Sequence, residues 1–279
     1  MSWRFARTLK WIVRHILVAL LVVTMVQLGF WQLRRLDEKR DHNALVEARQ
    51  VEPAEPVEDV VPASAEVGSD EVDAVLYRRV TATGRYAVDD TFVVENRSLN
   101  GASGAWVLTP LVLDDGRAVL VNRGFIGYDV EGDIVPPDPP AGQVSVTGLV
   151  LPSQHRGSFG ATDPGEGKLA VLARVDLERL AAQVHYEVLP AYVQLGESDP
   201  PEPAAVGGNA AAGDAATLVP LDPPELDEGP HLGYAVQWFI FTTIAGGGYL
   251  LLLRKMAKEE ARRAPAKPDV AGRLEGVGE

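Results

Sequence analysis

Two long apolar runs stand near the ends of the chain, and short alternating segments fill the space between them. The first run, Ile16 to Leu33, is uncharged, and with Trp11 to Val13 ahead of Arg14 it reaches the roughly 20 residues a helix needs to cross hydrocarbon. Trp11 and Trp31 are about 30 Å apart along a helix, which suits two aromatic belts. The pattern predicts a cytoplasmic N-terminus at 1–10, a membrane-spanning helix at 11–33 and a helical continuation at 34–49. Arg4, Arg7, Lys10 and Arg14 would also suit a secretory leader, but no small-residue cleavage pattern follows, so the segment reads as an anchor. The second run predicts a spanning helix at 231–253. Its apolar stretch, Tyr234 to Leu253, holds Gln237, Thr242 and Thr243 as its clearly polar members, and a basic tail follows at 254–279.

Residues 50–74 and 197–230 are rich in Pro, acidic residues and small residues without a period, and both read as linkers that hold no core. Between them lie seven Val-rich segments bounded by Gly, Pro or Asp, at 76–86, 91–96, 105–113, 117–124, 143–151, 168–174 and 186–195. Gln143, Ser145 and Thr147 alternate with Val144 and Val146, as a strand with one buried face requires. Asp114-Asp115-Gly116 predicts a tight turn between antiparallel strands, and Asp176 predicts the N-cap of one short helix. The fold class expected is an α+β membrane protein. Two transmembrane helices flank an extracytoplasmic antiparallel sheet or partly closed barrel at 75–196, which carries that short helix.

Charge sets the orientation. From Asp41 to Pro230 there are 11 Lys and Arg against 32 Asp and Glu, whereas both ends are basic. Asp222, Glu225, Asp227 and Glu228 precede the second run, and Arg254, Lys255, Lys258, Arg262 and Arg263 follow it, so the positive-inside rule places both termini in the cytoplasm. A net charge of −13 argues against nucleic acid as a partner. The chain has no cysteine, which removes disulfides, thiolate metal sites and covalent haem attachment through C-x-x-C-H. Its Ala/Val-rich, lysine-poor composition suits a bacterium of high genomic GC, so the expected location is the bacterial plasma membrane.

Four segments carry a resemblance: "LGFWQLRRLDEKRDHN" (Leu28 to Asn43), "GASGAWVLTPLVLDDGRAVLVNRGFI" (Gly101 to Ile126), "VDLERLA" (Val175 to Ala181) and "HLGYAVQWFIF" (His231 to Phe241). In their order and two-span frame they resemble the SURF1 family of cytochrome c oxidase assembly factors. The resemblance implies a role in building haem-copper oxidases, with haem a as cargo, oxidase subunits as partners, and a histidine at the start of the second span as iron ligand; that histidine is His231 here. The family tends to place Asn before this histidine and Ser two residues after it, where this chain has Pro230 and Gly233.

On a helix that starts at Pro230, His231, Tyr234 and Trp238 fall at i, i+3 and i+7 and share a face. The positive end of the helix dipole favours a neutral imidazole there, and the geometry permits axial ligation of haem iron. The same three side chains also suit an aromatic belt that does no chemistry. Gln27 and Gln237 need partners within lipid, either each other or a third helix. With Trp31 they are candidate partner-contact residues, and a permanent accessory subunit of a respiratory complex would use the same surface. Arg35 and Lys39 could meet acidic partners or haem propionates, or be solvated. "GASGA" nearly matches a nucleophile elbow but ends in Ala105, so Ser103 reads as a loop residue, and no catalytic residue is expected.

Overall fold

The computed structural model describes residues 3, 5–129, 134–156, 161–203 and 218–263. The chain divides into two compact units: residues 1–43 with 227–279, and residues 44–226. Helix α1 runs unbroken over Leu9–Gln50, so the expected continuation at 34–49 is helical, and its last turns belong to the second unit. No proline occurs within it, and Pro53 follows its end.

The segment at 50–74 departs from the linker expected. It forms β1 (Glu55–Pro56), α2 (Val57–Val60) and α3 (Asp70–Asp73), the last capped by Ser69, whose hydroxyl accepts from the Val72 N–H. Val57, Val60, Val61 and Val72 are all buried in the main core. Composition misled because Pro and acidic residues dominate the average, while the few valines between them face inward. A buried valine stabilises by about 1.5–3 kcal/mol, enough to hold such a strap down. The Arg49 guanidinium adds hydrogen bonds to the carbonyls of Leu76 (2.7 Å) and Ala74 (2.8 Å).

Seven further strands and one helix follow: β2 (Arg79–Tyr86), β3 (Phe92–Leu99), β4 (Ala102–Leu113), β5 (Ala118–Gly127), β6 (Val144–Leu151), β7 (Val171–Leu172), α4 (Leu177–Ala181) and then β8 (Val188–Asp199). Each strand falls within or across a segment the alternation predicts. The Asp114-Asp115-Gly116 turn joins β4 to β5 with Gly116 at φ 88°, and Asp176 caps α4 by accepting from the Arg179 N–H at 3.0 Å. Asn100 and Gly101, at φ 50° and 83°, form a two-residue hairpin between β3 and β4. Ser103 consequently lies in an extended strand, opposite Ser98, and not in the loop expected.

The sheet is mixed, not antiparallel. Its order is β1-β2-β6-β8-β5-β4-β3-β7, and β2 also pairs with β4. The pairs β1–β2, β3–β7 and β5–β8 are parallel. β8 can run parallel to β5 because a long connection through β6, β7 and α4 carries the chain back to the same end, as a parallel pair requires.

β5 is buried at all ten positions and divides its side chains by parity. Val119 and Val121 enter the main cluster with Leu111, Val146, Leu189 and Val193, while Leu120 enters a second with Phe92, Leu108, Leu177 and Tyr192. The same strand holds Arg123, whose side chain has no exposed surface. It pairs with Glu202 at 2.6 Å and donates to the Pro137 carbonyl at 2.9 Å. Beyond it, Phe125 exchanges backbone hydrogen bonds with Val219, and a side chain at Gly124 would meet the Val219 carbonyl oxygen at 2.6 Å. The second expected linker is therefore structured where it is described: 197–199 complete β8, and Leu218 is buried against Val107 and Ile126. Residues 204–217 lie outside the described residues.

Helix α5 spans His231–Arg263. α1 and α5 are both long and apolar enough to cross a membrane.

Candidate functional site

The entry to α5 is built from local turn chemistry. The Asp227 carboxylate accepts from the Gly229 N–H at 2.8 Å, Gly229 takes φ 70°, and the Pro230 carbonyl accepts from Tyr234 at 3.1 Å. Pro230, which has no N–H to leave unpaired, precedes the helix, and His231 is its first residue.

Within the first unit, α1 and α5 pair antiparallel through contacts at successive levels. At one end, the His15 ring donates from Nε2 to the Ala6 carbonyl (3.1 Å), and its Nδ1 accepts from the Tyr249 hydroxyl (2.6 Å). Along the apolar middle, Gly29 lets the Phe239 ring approach so closely that an added Cβ would stand 2.8 Å from it, while Phe30 meets the same ring edge-on at 5.5 Å. At the other end, His231 Nδ1 lies 2.8 Å from Gln32 Oε1. Beyond that, Arg40 forms a bidentate pair with Glu228, at 2.9 Å for each bond. Hydrogen bonding to Arg40 holds the Glu228 carboxyl below the usual carboxylate range. Both groups are exposed, so the pair adds orientation more than stability.

The polar contacts bracket the apolar segment. From His15 to Gln32 is about 26 Å along α1, and from His231 to Tyr249 about 27 Å along α5, close to the roughly 30 Å of a bilayer's hydrocarbon core. The two ring contacts thus sit near the two edges of the lipid-compatible stretch.

His231 and Trp238 are half-buried, and Tyr234 is 48% exposed. Trp238 packs edge-on against Phe241 at 6.1 Å, and among the described residues no ring contact joins it to His231. Gln27, Trp31 and Gln237 are exposed, and no hydrogen bond joins Gln27 to Gln237 among the described residues. Arg35 is taken up by Glu38 at 2.6 Å, while Lys39 has no ion pair among the described residues. Sequence reasoning missed three members of the helix pair, Gln32, His15 and Tyr249. A signal was present: in an antiparallel pair the partners' numbers sum to a near-constant, as 15 with 249 and 32 with 231 do. Of the residues here that could hold a cofactor, His231 is the one with a ring nitrogen, Nε2, that has no hydrogen-bond partner among the described residues.

Residues 19–243 match the SURF1 family, a span from within the first apolar run to within the second. An uncharacterised SURF1-like protein of Mycobacterium tuberculosis is 30% identical over 263 residues, covering 90% of this chain and 89% of its own length. A SURF1-like protein of Rickettsia felis is 25% identical over 228 residues, 80% of this chain and 89% of that one. The cytochrome oxidase assembly protein SHY1 of Saccharomyces cerevisiae is 31% identical over 160 residues, 54% of this chain and 38% of the yeast protein. With the family match running across most of the chain, from within one apolar helix through the sheet and into the other, the protein belongs to the SURF1 family.

Proposed function

We propose that this chain is a membrane-anchored assembly factor for a haem-copper cytochrome c oxidase, and that it holds haem a as cargo at His231 for delivery to an oxidase subunit. The assembly role is supported by family membership and by the function the yeast relative's name states. The observation that carries the haem reading is the place of His231: the first residue of an apolar helix, half-buried, with Nε2 unpartnered among the described residues. A haem presents an apolar macrocycle and two anionic propionates. The residue types suit that group: the imidazole can ligate iron, Trp238 supplies apolar surface two turns along the same helix, and Lys39 is a cation with no ion pair among the described residues. The chain supplies the ligand and the surroundings, and the redox chemistry stays with the haem.

In this reading the basic residues from Arg254 to Arg263 mark the cytoplasmic side of the bacterial plasma membrane, with both termini inside and the central domain outside. The β2–β4 pairing supports a barrel-like closure of strands β2, β6, β8, β5 and β4. The test is to purify the protein from cells that make haem a and record visible spectra of the wild type and His231→Ala. Haem in the wild type and its loss in the variant is the expected result. No haem in either, or equal haem in both, rejects the ligand role.

A second reading, a permanent accessory subunit, is favoured by the outward exposure of Gln27, Trp31 and Gln237 without mutual hydrogen bonds. After gentle detergent extraction, such a subunit would co-purify with active oxidase in near-equal amounts, and a transient factor would be scarce there.

A further inference from the structure

The tautomer of a ligating histidine is set by the hydrogen bond its other ring nitrogen makes. In His231 that bond goes from Nδ1 to Gln32 Oε1 at 2.8 Å, between residues 199 positions apart in the chain. An amide oxygen only accepts, so the proton between them belongs to His231 Nδ1, and Nε2 carries the lone pair. His15, at the other edge of the apolar stretch, shows the reverse: its Nε2 donates to the Ala6 carbonyl, and its Nδ1 accepts from Tyr249. Both nitrogens of His15 are occupied, so it offers no ligand atom, whereas His231 keeps one. The flanking turn passes beside that atom. A Cβ at Gly229 would stand 3.5 Å from His231 Nε2, and Gly229 has none.

We propose that Gln32 is a positioning residue: by accepting the Nδ1 proton of His231 it fixes the ring and leaves Nε2, beside Gly229, as the nitrogen that binds haem iron. The proposal rests on the haem reading of His231, and two separate measurements keep them apart.

The first measurement needs no haem. In the full chain with 15N-labelled histidine in detergent micelles, His231 resonances are identified by their loss in His231→Ala. The wild type shows a protonated Nδ1 and a bare Nε2. Gln32→Glu, which can also only accept in its ionised form, keeps that pattern, and Gln32→Leu gives a mixture of tautomers. His15 is the internal control, since its opposite tautomer persists in all three if the helix pair is intact. A wild-type His231 protonated on Nε2, or a pattern unchanged in Gln32→Leu, overturns the proposal.

The second measurement is a titration of the apo-protein with ferric haem a, followed optically. Gln32→Leu binds about 10–100-fold more weakly than wild type, the usual cost of losing such an outer partner. Gln32→Glu binds at least as well as wild type and has a lower midpoint potential, because a stronger acceptor makes the imidazole a more basic ligand. Equal affinity in wild type and Gln32→Leu overturns the positioning role. Absence of haem binding by the wild type, with the NMR pattern as expected, rejects the haem reading while supporting control of the tautomer by Gln32.

Discussion

Tyr86 shows how one side chain in the central core ties burial to pH. It ends β2 against the main cluster, its hydroxyl has no hydrogen-bond partner among the described residues, and the Arg123 guanidinium lies 5.7 Å from the ring centre. Burial, reinforced by the charge of Glu202, raises its pKa above the ordinary tyrosine value. Tyr192 is raised by burial, and Tyr186 by burial together with its bond to Asp90. A raised folded-state value means that the contribution is fully present below the unfolded pKa of about 10 and is lost as pH rises above it. Tyr86→Phe removes the buried hydroxyl, so it should leave stability at pH 7 unchanged or raise it by about 1 kcal/mol. It should also move the alkaline onset of unfolding upward, read by circular dichroism of the detergent-solubilised protein from pH 8 to 12. An onset at the wild-type pH would contradict this. None of it was legible in the sequence, where Tyr86 closes a strand like any half-buried aromatic. Its ring faces Arg123, a residue that local patterning would place in water.

Among the elements, the α1–α5 pair depends on closeness at Gly29. A larger residue there must displace the Phe239 ring, because even a Cβ would come within 2.8 Å of it. The chain has no cysteine, so His15→Cys with Tyr249→Cys makes a clean reporter of pairing at the far end. A short bismaleimide should cross-link that pair efficiently when Gly29 is present and several-fold less when Gly29→Leu is added. Equal yields would show that the helices pair without this contact. Both helices were legible from length and hydrophobicity alone, as was the N-cap of α4. What lay hidden at this scale was the strap of β1, α2 and α3. Its periods are too short to rise above a Pro- and acid-rich background, and its valines declare themselves only when the sheet offers a face to cover.

For the whole molecule, the distribution of charge is the governing fact. The stretch from 41 to 230 carries a large acidic excess, while the flanks of the apolar runs toward each terminus are basic. A long domain crosses during insertion largely regardless of its own charge, so orientation is set by the Lys and Arg that flank the spans. Protease added outside intact spheroplasts should therefore cut within residues 44–226 and leave tags on both termini protected. Digestion of either tag with the central domain untouched would reverse the orientation and remove the domain from the side where haem a delivery is proposed.

The sequence by itself determined the elements: two helices of bilayer length, alternating strands, the Asp-Gly turn, and the acidic body between basic ends. These follow from backbone periodicity and turn chemistry, which act over a few residues and so can be read in a short window. Tertiary structure alone decided that β8 inserts parallel to β5, that Arg123 is buried against Glu202, and that Gln32 meets His231 across 199 positions. Those outcomes depend on which faces pack together once the chain has returned on itself. A polar side chain acquires its role only when packing has excluded water from around it and left one partner within reach.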